Sequence, residues 1–212
     1  FGRKPTLFAI GVLYVIGALG TALTSDLVAF DIFRFLGGIG VGAASVCAPI
    51  YTAEVSPAAV RGRLVGLVQF NIVLGILLAY LSNYIIAQTV SADTAWRWMF
   101  GVMAVPAAAF LLLLFTVPET PRWLLSVGRT AEGEEVARKL ANNDGEAATV
   151  VAEIQSALNA AENAPNVPFF TKGHSKVIML AFTIAMFNQL SGINAVLYYA
   201  PEVMKQAGAG DN

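Results

Sequence analysis

Five long apolar runs decide what this chain can become. They lie at roughly 5–24, 27–53, 64–87, 96–117 and 176–204 of its 212 residues. Crossing about 30 Å of hydrocarbon takes about 20 helical residues. In lipid the backbone must also satisfy its own N–H and C=O groups, which favours helices. The runs are therefore read as membrane-spanning helices, A to E, and the fold class as all-α membrane protein. Composition supports this: only 13% of residues are charged, against about 25% in average soluble domains.

Other classes fall away. A net charge of −1 gives no basic patch for nucleic acid. The single Cys47 has no disulfide partner in the chain and no metal-ligand spacing around it, so a buried filler is expected. His174, beside Lys172 and Lys176, reads as a solvated loop residue. The opening "FGRKPTLFAIGVLYVIG" mimics a signal peptide, but its apolar run is too long and further spans follow. The chain, which starts at Phe1, is read as a fragment.

The connectors set orientation. Arg3 and Lys4 precede A, and Arg61 and Arg63 lie between B and C. A polar segment at 118–175 carries Arg122, Arg129, Arg138, Lys139 and Lys172. The opposite side offers Asp26, Asp93 and, at a span edge, Arg97. The positive-inside rule puts the N-terminus and the 118–175 segment in the cytoplasm and the C-terminal end outside. Within that segment Thr120 is expected to cap a helix, Pro121 to fill its first turn and Gly128 to end it. Ala147, Val151, Ile154 and Leu158 recur at helical spacing. "NAPNVP" at 163–168 reads as a linker.

Several polar residues interrupt the apolar runs. Arg34 in span B is costly at that depth and needs a partner or a cavity. Asp31, three residues earlier, is one choice; a carboxylate on a helix outside this chain is another; snorkelling to the surface is a third. "GGIGVGAAS" matches a dinucleotide fingerprint only formally, since no strand precedes it. Gly38 and Gly42 are instead expected to let another helix approach. Gln69 in span C could bond a neighbouring helix or a ligand.

Span E holds the densest polar set, "NQLSGINAVLYYAP" at 188–201. A buried amide without a partner costs roughly 2–7 kcal/mol. On a regular helix Gln189 and Tyr198 would face opposite ways, whereas Asn194 and Tyr198 share a face. A break at Ser191–Gly192 would turn Gln189 and Asn194 toward one site, as discontinuous helices do in many transporters. Amides and a phenol without charge suit a neutral polyhydroxyl ligand. A polar seam between helices is the alternative reading.

These motifs together resemble the sugar porter family of the major facilitator superfamily. "GRK" at 2–4 resembles the end of the motif between helices 2 and 3, and "RFLGGIGVG" helix 4. "PIYTAEVSPAAVRGR" at 49–63, "WRWMFG", "PETPRWLL" and "QLSGINAVLYYAP" resemble successive family signatures. The resemblance implies five of twelve membrane helices, numbers 3 to 7. It divides the chain into 1–117 (helices 3–6), a cytoplasmic helical linker at 118–175, and 176–212 (helix 7). It implies alternating-access transport of a hexose or pentose, with proton symport as one option, in a multi-pass cell-membrane protein without a cofactor or enzymatic activity. A sugar-sensing receptor on the same fold is the alternative.

The site residues implied are Gln69, Gln189, Asn194 and Tyr198, and Asn188 completes the substrate-binding set. Asn188 stands where the family usually has the first Gln of a pair, and Ile76 where some symporters have a second helix 5 Gln. Arg34 matches an Arg that pairs, in family symporters, with a proton-carrying helix 1 Asp; Asp31 joins it as the charge-coupling candidate within this chain. Glu54, Arg61, Glu119 and Arg122 match positions whose ion pairs latch the cytoplasmic side. Sugar, protons and the lipid bilayer are the expected partners.

Overall fold

A computed structural model describes residues 2–57, 59–141, 143–163, 171, 173–192, 195–196 and 199–208, with the side chains of Gln189 and Pro201 excepted. The helices are α1 (Arg3–Leu23), α2 (Leu27–Val55), α3 (Arg61–Thr89), α4 (Ala92–Gly101), α5 (Ala104–Leu114), α6 (Pro121–Ser126), α7 (Thr130–Leu140), α8 (Asp144–Glu162), α9 (Ser175–Leu190) and α10 (Ala200–Gln206). Two compact units result, residues 1–162 and 163–212.

Spans A to C appear as α1 to α3, each long and apolar enough to cross a membrane. Span D also has the length, over Ala92–Leu114, but it is interrupted at Val102–Met103. Pro106 explains the interruption. It has no N–H to give the Val102 carbonyl, and its ring crowds that same carbonyl four residues back. Val105 donates instead to Val102 at 3.1 Å, a tighter turn.

Helix α1 is the hub of the first unit, packing against α2, α4 and α5. Leu7, Ile10 and Leu114 form the buried centre, flanked by Phe8, Tyr14, Phe110 and Leu111. The rings of Phe8 and Phe115 meet edge-on at 5.0 Å. Small residues on α1 set the approach. A Cβ at Gly17 would lie 3.1 Å from the Gly37 Cα, one at Gly20 2.3 Å from the Phe33 ring, and one at Gly11 2.6 Å from Leu111. Within this chain the close packing is carried by α1's glycines, and a Cβ at Gly38 or Gly42 on α2 meets nothing within 4 Å. Gly40, between them, faces α1 at Tyr14.

Helix α3 differs: it is apolar all round, with no buried residue in this chain. A helix hydrophobic on every side is stable only inside lipid or other helices. Together with the other spans this makes the chain a multi-pass membrane segment.

Helices α6 to α8 pack on one another, and α6 touches α2. The expected start and stop of α6 are realised. Thr120 Oγ1 accepts from the Trp123 N–H at 3.3 Å, and Pro121 occupies the first turn. At the other end Gly128 has φ +78°, Arg129 N–H donates to Leu124 O at 2.9 Å and Gly128 N–H to Leu125 O at 3.2 Å. That pair of bonds is a Schellman cap, which needs the left-handed residue glycine supplies. The expected α8 stripe faces inward, with Ala147 buried and Val151, Ile154 and Leu158 half-buried.

In the second unit α9 ends at Leu190, and Gly192 adopts φ +76°. The break falls at Ser191–Gly192, where the sequence puts it. Helical bonding resumes beyond, with Val196 N–H donating to Gly192 O at 3.0 Å and Val203 N–H to Tyr199 O at 2.9 Å.

Candidate functional site

Two polar clusters close the ends of the first unit. At the start of α1 the Glu119 carboxylate accepts from four backbone contacts. Oε1 takes the N–H groups of Arg3 (3.1 Å), Lys4 (3.2 Å) and Thr120 (2.9 Å), and Oε2 takes that of Lys4 (3.0 Å). A carboxylate suits this place because the first N–H groups of a helix lack partners and carry partial positive charge. Gly2 leaves the room: a Cβ there would sit 2.2 Å from Glu119 Oε2. Lys4 Nζ donates to Val117 O at 2.7 Å, and Tyr51 OH to Pro118 O at 2.8 Å. Arg3 donates to Glu54 Oε1 at 2.9 Å.

The four candidate gate residues thus divide. Glu54 and Glu119 both engage the Gly2–Arg3–Lys4 segment. Arg61 donates to the Ser56 carbonyl at 3.4 Å, and among the described residues neither Arg61 nor Arg122 forms an ion pair within 4 Å. Both arginines, with Glu54, line a cleft of about 410 Å³ walled by Leu140, Val150 and Ile154. Arg3 and Lys4 belong to this cluster and were absent from the gate set read from the sequence. The signal was there, since "GRK" is itself one of the recognised motifs.

At the far end of α1 the Arg97 guanidinium donates to Ala22 O (3.0 Å), Thr24 O (2.8 Å) and Ser25 Oγ (3.1 Å). It also lies 4.5 Å over the Trp96 ring. A cation over the last carbonyls of a helix is favourable for the same reason a carboxylate suits its start. Asp26 caps α2, accepting from the Ala29 N–H at 2.8 Å.

Arg34 does not pair with Asp31 within 4 Å; its guanidinium lies 5.1 Å over the Phe100 ring. Gln69 stands on the exposed surface of α3, and Asn188 is exposed on α9, its carbonyl accepting from Ser191 Oγ at 2.6 Å. Gln189 is the penultimate residue of α9, one residue short of the break. Asn194 and Tyr198 lie outside the described residues. Among the described residues no cluster of His, Cys, Asp and Glu could hold a metal ion.

The family model for "Sugar (and other) transporter" matches residues 1–212. The chain belongs to that family. It is 40% identical to the D-xylose-proton symporter of Escherichia coli (strain K12), over 99% of this chain and 46% of that protein. It is 34% identical to the arabinose-proton symporter of Bacillus subtilis (strain 168), over 100% of this chain and 46% of that protein. Among solved structures, the major facilitator superfamily proton:xylose symporter XylE bound to 6-bromo-6-deoxy-D-glucose matches with a TM-score of 0.85 and 38% identity, covering 98% of this chain and 48% of that chain. An inward-open form of XylE matches at 0.80. The fold is therefore part of the major facilitator fold, and the chain spans about half the length of the curated relatives it matches.

Proposed function

We propose that the complete protein moves a monosaccharide, a hexose or a pentose, across the cell membrane by alternating access, driven by proton symport. The observation that carries this is the match over nearly the whole chain to proton–sugar symporters, at up to 40% identity. Helices α1 to α5 belong to the first half of such a transporter and α9 begins the second. Residues 118–175 form the cytoplasmic link, and the C-terminal end faces outside. The protein acts on its sugar by binding and release, without enzymatic chemistry.

In this reading Gln69, Asn188, Gln189, Asn194 and Tyr198 bind sugar hydroxyls. The helix break supports the assignment for Gln189. Interrupted helices are where transporters build substrate sites, and amides both donate to and accept from a hydroxyl. Arg34 carries the coupling charge. Within this chain Asp31 is its nearest carboxylate along α2, and a partner on another helix of the complete protein takes that role if Asp31 does not. Glu54, Arg61, Glu119 and Arg122 form the cytoplasmic latch, joined by Arg3. Two arginines that form no ion pair among the described residues share one cleft with Glu54, Glu146 and Glu153, which supports exchange of partners there between conformations.

The test is labelled-sugar uptake in proteoliposomes with and without a proton gradient. Accumulation only with the gradient is expected, and uptake indifferent to it would reduce the reading to facilitated diffusion. Gln189→Ala should weaken sugar binding by up to about 150-fold at normal expression. Wild-type affinity in that variant would remove Gln189 from the site.

A further inference from the structure

Arg34 lies about 12 Å along α2 from its Asp26 cap, at a depth where an unpartnered guanidinium is costly. The charged groups around it are Asp31 on its own helix, Asp26 at the α1–α2 turn, and Asp93 and Arg97 on α4. Among the described residues none of these carboxylates lies within 4 Å of it. Arg97 is taken up by the α1 carbonyls and by Trp96. What Arg34 has is Phe100, with 5.1 Å between guanidinium carbon and ring centroid.

That ring is itself held. Phe30 meets Phe100 at 5.6 Å and 78°, Trp96 meets it at 6.5 Å and 76°, and Phe30 meets Trp96 at 6.3 Å and 64°. These are edge-to-face contacts, so the three rings brace one another across α2 and α4. A cation within about 6 Å of a ring centroid is attracted by the electrons of the ring face.

We propose that Phe100 is the positioning residue for Arg34, seating its guanidinium at the α2–α4 interface in every protonation state of the carboxylate that Arg34 serves. The inference rests on Arg34 being the coupling charge. A carboxylate attracts Arg34 only while ionised. The ring does not titrate, so it keeps the guanidinium in place when a proton neutralises the acid.

The seat depends on ring electrons and hardly on ring shape, which supplies the test. In the complete transporter, Phe100 is replaced by mono-, di- and trifluorophenylalanine, by Leu and by Trp, in wild-type and Arg34→Gln backgrounds. Proton-driven accumulation, sugar exchange and melting temperature are measured on each. Accumulation should fall stepwise with fluorination, by about tenfold over the series. Leu should match the trifluoro ring, Trp should retain activity, and exchange should change little. Arg34→Gln removes the coupling charge, so that background is read on melting temperature, whose fluorine dependence should vanish there. A flat series overturns the proposal, even if Leu is inactive, because loss in Leu alone is packing. An equal slope without Arg34 overturns it as well. If no variant transports sugar, the transport reading fails by itself. The melting temperatures then decide the seat: a fluorine-dependent fall that needs Arg34 upholds it, and a flat one overturns it.

Discussion

At one end of α1 the Arg3 guanidinium meets the Glu54 carboxylate; at the other end Arg97 sits among carbonyl oxygens. The first arrangement is ionic and incompletely matched. Glu54 Oε1 is paired with Arg3, yet Glu54 Oε2 and Arg3 Nε are buried without a partner in the described structure. The second has three hydrogen bonds and an aromatic face for one guanidinium. The difference teaches which contacts can be traded. A carboxylate accepts another cation as readily as the one it has. The end of a helix has no second set of carbonyls to offer. The Arg3 end thus leaves buried groups open to another partner, whereas the Arg97 end spends its bonds on backbone carbonyls and one hydroxyl.

Glu119 gives the strongest way to break this comparison. Removing it in Glu119→Ala leaves the first N–H groups of α1 unpaired and should cost about 3 kcal/mol, read as a fall in melting temperature of the purified protein. Glu119→Gln keeps one acceptor and should lose less. Gly2→Ala should reproduce much of the loss without touching the carboxylate, since its Cβ would displace Glu119 Oε2. A neutral Gly2→Ala would mean that the cap does not hold α1.

Arg97→Ala comes next. It removes three bonds to the α1 end and should cost about 2 kcal/mol. Its effect should hardly change between 0.05 and about 0.5 M salt, because its partners are dipoles rather than ions. Strong salt dependence would mean that Asp26 or Asp93 is the true partner and that both ends of α1 are ionic.

Arg3→Gln and Glu54→Gln should each cost about 1–2 kcal/mol, and the double variant less than their sum, since a lone buried charge is worse than none. Additive losses would show that the two side chains do not act as a pair.

The smallest effect lies in α7, outside the membrane-spanning helices. The hydrogen bond from Arg129 holds the Glu132 carboxyl below the usual range, and that from Lys139 does the same for Glu135. Both carboxyls have a lower folded than unfolded pKa. Their contribution is therefore complete above the unfolded value of about 4.3 and is lost as pH falls through the lower folded values. Hydrogen exchange of α7 amides should be flat from pH 8 to 5 after correction for intrinsic rates, and should rise only below about pH 4. A rise near neutral pH would assign α7 stability to some other group.

Much of this was legible in the sequence because it is local. Apolar length located spans A to D, while span E gives the 16-residue α9 among the described residues; Thr120 and Gly128 set the ends of α6, and a glycine among amides marked the break at Ser191–Gly192. Pro106 is as visible in the sequence, but the apolar run through 96–117 hides a backbone defect that hydropathy does not register. The candidate site was legible as residue types: Gln69, the 188–198 cluster, Arg34 and the four latch residues all stand out as polar groups at apolar depth or as motif members. Their partners were not. Glu119 on the α1 N–H groups, Arg97 on the α1 carbonyls and Phe100 beneath Arg34 join residues 115, 75 and 66 positions apart. Which glycine lets α1 and α2 touch was decided in the same way. Gly17 and Gly38 look alike in the sequence, and only the helix crossing puts one against a backbone and the other in open space. Span, cap and break follow from a few neighbouring residues, whereas a contact between helices depends on how each is rotated about its axis. That rotation is set by packing summed over the whole bundle.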